Sequence, residues 1–373
     1  MSIKNKNENM RKLENIRNIL IIFICFQIIM SCKENSVEVT LNNNAIMFNE
    51  FPREDTITFE NLGDYKTGVP KKIFFMDSTL ILFNIPKKSK HLFNNYSLKK
   101  GEFSKGYVSK GKGPGETIGA SCAGVIDDKL WFYDISLNKV LITDKKKAIK
   151  NNSFYPFKEY KLKNHYSRID LMDSLNFYGI GNFESTSQSI IEKTNLISNE
   201  KDEYYGEFRD DLNDIEHGTI KGVYNSSINI KPSGKSIVLG YRHTDLIEIY
   251  NLDSGKCIAV QGPEKYGVNF VAKKKTMSYM GKNEKTRKSF VSGTVTDNYI
   301  YLIYSGASAK NTSEENRFDW QYGKFIYVYD WEGNPVKKII LDRHIYAIGI
   351  SDDDKTLYSH DLNTGYLIYA KIN

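Results

Sequence analysis

The segment GYVSKGKGPGET, residues 106–117, carries the residue types and spacing of a phosphate-binding loop, because Gly106, Gly111 and Lys112 match G-x-x-x-x-G-K. Such a loop holds phosphates on backbone N–H groups at a helix N-terminus and ends in a Ser or Thr that binds Mg²⁺. Here Gly113 occupies that last position, and Pro114, more glycines and a strand-like run follow in place of a helix. The glycines let the chain turn sharply and Pro114 stiffens the turn, so the segment predicts a bridge between elements and no nucleotide. Other catalytic patterns are missing. His91, His165, His217, His243, His344 and His360 are scattered, with no H-E-x-x-H, and no G-x-S-x-G elbow occurs. The run SDDDK at 351–355 lacks the alternation and the glycine of a Ca²⁺ loop and reads as a turn. Neither a metal nor another cofactor is expected. Paired carboxylates of the glycosidase kind depend on separation in space, which leaves a polysaccharide lyase or hydrolase activity open as the alternative to a binding role. The side chains that keep chemical promise are basic or aromatic: Lys112, Arg242, His243, Lys285, Arg287 and Trp320. Whether they meet depends on the elements that carry them.

Those elements are strands. Period-2 apolar runs rich in Tyr, Phe, Ile and Val dominate, as in KLWFYD at 129–134, YIYLIY at 299–304 and FIYVYD at 325–330. A turn of Asp, Ser or Gly leading directly into such a run recurs six times, at 76–83, 127–134, 172–180, 233–241, 296–304 and 352–360. Second strands and hairpins follow several copies, with Ser-Gly or Glu-Gly-Asn in their turns. Four strands per repeat, six times over, predict an all-β, six-bladed β-propeller spanning 55–373, since ring closure buries both faces of every blade. The last copy ends one outer strand short, and DTITFEN at 55–61 precedes the first copy, so this N-terminal strand is expected to complete the last blade.

The elements GKGPGE, YIYLIYSG and FIYVYDWEGNPVKKIILD, with the N-terminal motif described below, resemble the TolB-like six-bladed β-propeller lipoprotein family of Bacteroidetes. In that family a Phe follows the G-x-G-P-G-E element, and Thr117 stands there in this chain. The resemblance implies a propeller at the cell envelope and names no ligand, because fold does not transmit function.

Propeller topology places the candidate side chains. The loop between the two middle strands of a blade and the crossing into the next blade emerge on one face. That face is expected to carry Lys112 in the crossing after blade 1, and Arg242 and His243 in a middle loop of blade 4. It is also expected to carry Lys285 and Arg287 in the crossing into blade 5, and Trp320 in the long insertion 305–323. Together they would ring one mouth of the channel and suit an anionic or sugar-like ligand, with guanidinium groups forked onto carboxylates. A glycan, a peptide or a protein partner is expected there.

The chain starts with Lys4, Lys6, Arg11, Lys12 and Arg17, followed by an apolar run from Ile19 to Met30. This is the order of a secretory signal, and the run is shorter than the ~20 residues that cross a bilayer. It ends in IIMSC, which resembles a bacterial lipobox. Residues 1–31 are therefore expected to be removed, Cys32 to be lipidated, and 32–54 to tether the propeller to the outer membrane, on its periplasmic or its cell-surface face. Removing the signal lowers the formal charge from +7 to +4, a mildly basic balance that does not mark a nucleic-acid binder, and no nucleic-acid partner is expected. Cys122 and Cys257 make no disulfide framework and are expected to be buried free thiols.

Overall fold

The computed structural model describes residues 36–212, 214–274, 277–311 and 320–372. Cys32 and the signal segment lie outside the described residues. Of the seven sheets among the described residues, six are built on antiparallel strands and follow one another along the chain. Their first strands are Pro70–Met76, Ala120–Ile126, Tyr166–Leu171, Ser226–Ile230, Phe290–Val295 and Ile348–Ile350. Each first strand neighbours the first strands of the sheets before and after it, and the series closes from the sixth sheet back to the first. The fold is a six-bladed propeller whose first strands line the axis.

All six repeated segments are hairpins from a first strand into a second. Their turns place Asp77, Ser78, Asp127, Gly234 and Asp354 at positive φ, where Gly and short polar side chains cost least. Second and third strands are buried on both faces, as in Leu130–Asp134 and Ile300–Tyr304, because each blade is covered by a neighbour on either side. Between the fifth and sixth sheets, Ile303, Ile326, Val328, Leu357 and Ile368 share one apolar cluster. Between the sixth and the first, Ile73, Leu80 and Leu82 pack with Ala347, Tyr358 and Leu367. There Gly349 lies so close that a Cβ on it would sit 2.8 Å from the Ile73 carbonyl oxygen.

The expected closing strand, 55–61, is not a single strand. Glu54–Ile57 runs parallel to Pro335–Ile345 as a fifth strand on the fifth sheet. Glu60–Asp64 then lies antiparallel to Tyr366–Lys371 of the sixth. The chain changes sheet at Thr58 and Phe59, and the buried Phe59 ring joins the cluster between those two sheets. The described part of the segment read as a tether also packs on the ring. Ile46–Met47 pairs parallel with Cys257–Gln261, and Phe51 is buried against Tyr327 and Tyr329. Both cysteines are free, but only Cys122, on an axial strand, is half-buried; Cys257 opens an outer strand and is exposed.

Candidate functional site

The glycine-rich crossing, residues 110–119, joins the outer edge of the first sheet to the axial strand of the second. It closes around its own carboxylate. The Gly113 N–H donates to Glu116 Oε2 at 2.8 Å, and a Cβ at Gly111 would fall 1.9 Å from that oxygen. Gly115 has φ +72°, beside the Phe157 ring. The next residues are fixed by the fully buried Asp134. One of its oxygens accepts from Thr117 Oγ1 at 2.7 Å, from the Ile118 N–H at 2.7 Å and from the Gly119 N–H at 3.3 Å. The other accepts from the Ser136 and Leu137 N–H groups. The Thr117 hydroxyl thus helps to satisfy a buried carboxylate, a contact that the Phe implied at this position by the family resemblance could not make.

At the axis the picture is electrostatic. Lys71 and Arg168, on the first strands of sheets one and three, line a channel cavity of about 80 Å³ together with Arg242, Asn229, Asp170 and Tyr346. Arg242 and His243 come from the loop between the second and third strands of the fourth sheet, as expected. The Arg242 guanidinium reaches the Val291 carbonyl at 3.5 Å and sits near Arg168, while Lys71 Nζ donates to the Ser121 carbonyl. Above them Lys288 and the exposed Lys282 hold their ammonium groups over the Trp320 ring, 5.6 and 4.3 Å from its centroid. The His243 ring is 6.2 Å from the same indole.

These five basic groups disfavour one another's protonation, and among the described residues none has a carboxylate partner. Burial, reinforced by Arg168 and Arg242, pushes Lys71 down to about 8. Burial, with Arg242, Lys282 and Arg168 adding to it, pushes Lys288 down to about 6. Burial and the neighbouring Lys288 take His243 to about 3, so its imidazole is neutral. Nδ1 then donates to the Arg287 carbonyl at 2.9 Å and leaves Nε2 as an acceptor. The channel's acid, Asp170, is held elsewhere. Burial raises it, Lys72 opposes that shift, and it accepts the Ile230 N–H at 3.0 Å. Among the described residues, no three His, Cys, Asp or Glu side chains gather as metal ligands.

The structure therefore brings together Arg242, His243 and Trp320 of the six residues singled out in the sequence. Trp320 is buried beneath two lysines and offers no open platform. The other three stand apart. Arg287 is committed to an ion pair with Glu264, donates to the Gly306 carbonyl at 3.1 Å, and stacks 4.1 Å from the Tyr266 ring. Lys285 and Lys112 are exposed, and their side chains make no hydrogen bond or ion pair among the described residues. Lys71, Arg168, Lys282 and Lys288 were not foreseen. The available signal was a charge interrupting an axial strand, as in PKKIFFM and YSRIDL.

A model of the TolB-like 6-blade propeller-like family matches residues 48–353. Among solved structures, a Bacteroides fragilis protein described as exported is 13% identical and superposes with a TM-score of 0.52, over 88% of this chain and 99% of its own. A Bacteroides vulgatus member of the DUF4221 family is 10% identical with a TM-score of 0.52, over 91% of this chain and 96% of its own. At these identities the likeness concerns the fold alone. No curated protein matches the chain in a sequence search.

Proposed function

Because this chain belongs to the TolB-like six-bladed propeller family, we propose that it is a binding lipoprotein of the cell envelope, anchored through Cys32, that captures an anionic ligand at one mouth of its channel. One observation carries this reading: Lys71, Arg168, Arg242, Lys282 and Lys288 converge without a carboxylate partner among the described residues. Taking a charge out of water costs several kcal/mol per ion unless an opposite charge compensates it. The half-buried Lys71, Arg168 and Arg242 are a standing demand for an anion, and Lys288, pushed down to about 6 and so largely neutral at pH 7, would take up a proton when one binds. Arg168 and Arg242 are suited to fork onto a carboxylate or a sulfate, and Lys71 adds a point charge. The channel cavity has room for one compact acidic group, so the rest of a glycan or peptide ligand would lie outside it.

The test is calorimetric titration with oligogalacturonate and with an acidic peptide, each beside a neutral counterpart. An acidic member binds, its affinity falls with salt, and Arg242→Ala weakens it at least about tenfold, the 1.4 kcal/mol of one lost charge-assisted contact. Equal binding of acidic and neutral members, or no effect of Arg242→Ala, defeats the reading.

A further inference from the structure

A second, larger cavity lies on the rim and plays no part in the anion reading. It measures about 590 Å³, within the ~300–1,000 Å³ of small-molecule sites. Its walls are the outer edge of the first sheet at Tyr107–Ser109, the glycine-rich crossing, and the turn that follows the helix Lys145–Asn151.

Three independent features converge on it. Val108 has φ +63°, a left-handed conformation that a β-branched residue avoids and that costs of order 1–3 kcal/mol. Gly106 lies flat on the His91 ring, where a Cβ would come within 2.6 Å, so only glycine fits this wall. Tyr155 holds a ring that is 74% exposed beside Phe157, at 6.3 Å between centroids. Strain, a glycine-only wall and a bare aromatic in one cleft are what a preformed binding site retains.

We propose that this cleft binds a neutral sugar chain, with Tyr155 as the stacking platform and Asn151 as a partner for hydroxyl groups. An aromatic face beside an exposed amide matches the alternating apolar and hydroxylated surfaces of a pyranose. An anion finds no excess of positive charge here, since Glu116 lines the cleft as well as Lys105. Addition of a peptide strand is disfavoured too, because the left-handed Val108 bends the free edge out of strand geometry.

The experiment titrates the protein with tetrasaccharides of glucose, xylose and N-acetylglucosamine up to about 10 mM, beyond the weak end of specific affinity. At least one binds. Tyr155→Ala weakens it about tenfold or more without shifting the melting temperature, Asn151→Ala weakens it less, and Arg242→Ala leaves it unchanged. The proposal is overturned if no tetrasaccharide binds, if Tyr155→Ala has no effect, if Arg242→Ala abolishes binding, or if an extended peptide displaces the sugar. Because the two cavities share no residue, failure here leaves the anion reading standing, and failure of that reading leaves this one.

Discussion

Replacing Lys288 by Met should make the protein more stable. The Lys288 side chain is buried, and its ammonium group is pushed from the ordinary 10.5 down to about 6. Its folded-state value lies below its unfolded one, so the unfolded chain binds the extra proton between about pH 6 and pH 10.5, and stability rises with pH across that window. At ~1.36 kcal/mol per pKa unit, the penalty is about 6 kcal/mol below pH 6, roughly 5 at pH 7, and gone above pH 10.5. Met keeps the unbranched stem against Trp320 and removes the charge. Even if relaxation recovers half of the penalty, Lys288→Met gains about 2–3 kcal/mol at pH 7, a rise of about 5 °C in melting temperature for a domain of this size. Thermal melts of both proteins from pH 6 to pH 10 measure it: the wild type gains stability with pH, and the variant starts higher with a flatter slope. A bound anion should restore the Lys288 proton, so wild-type binding at pH 7–8 takes up protons, seen as a dependence of binding enthalpy on buffer, and the variant takes up fewer. A variant that melts lower than wild type at pH 7, or that keeps the wild-type slope, refutes the reasoning.

Other substitutions separate structural from binding roles. Asp134→Ala strips five donors of their acceptor and should cost more than about 3 kcal/mol, since each buried unsatisfied group costs roughly 1–3 kcal/mol; chemical denaturation reads the loss. Arg287→Ala should lower stability by about 1 kcal/mol through its half-exposed pair with Glu264 and leave anion affinity within about twofold. Lys112→Ala and Lys285→Ala, at exposed positions, should change neither stability nor anion affinity beyond about 0.5 kcal/mol in parallel melts and titrations. Gly349→Val should destabilise the contact between the sixth and first sheets by at least about 2 kcal/mol in denaturant titrations, because its side chain would drive into the Ile73 backbone.

The ring was legible because its signal is local. Four of the six hairpin turns hold Asp, Ser or Gly at positive φ, and every copy leads straight into a second strand that must be apolar on both faces, in the same order six times. The site was legible only in its loops. Arg242, His243 and Trp320 could be assigned to one face because propeller connections fix the face on which a loop emerges. Lys71 and Arg168 could not, because a charge on an axial strand has the same period-2 pattern whether it points to solvent or into the channel. Within KNEKTRK, Arg287 and Lys288 are adjacent and diverge, one to Glu264 and the other to Trp320, since successive residues of an extended segment face opposite ways. The edge of the first sheet was equally hidden: nothing in the residue types of YVS announces that Val108 turns left-handed. The segment 55–61 read as one strand because apolar alternation continues through Thr58 and Phe59, where the chain passes from one sheet to the next.

The central claim is that the cations at the channel mouth hold an anion, and anomalous diffraction from crystals soaked in selenate tests it most directly. The account predicts a selenium peak between Lys71, Arg168 and Arg242 that disappears in Arg242→Ala. No peak there while selenate binds elsewhere, or a carboxylate of the chain itself seated among these three side chains, would contradict it.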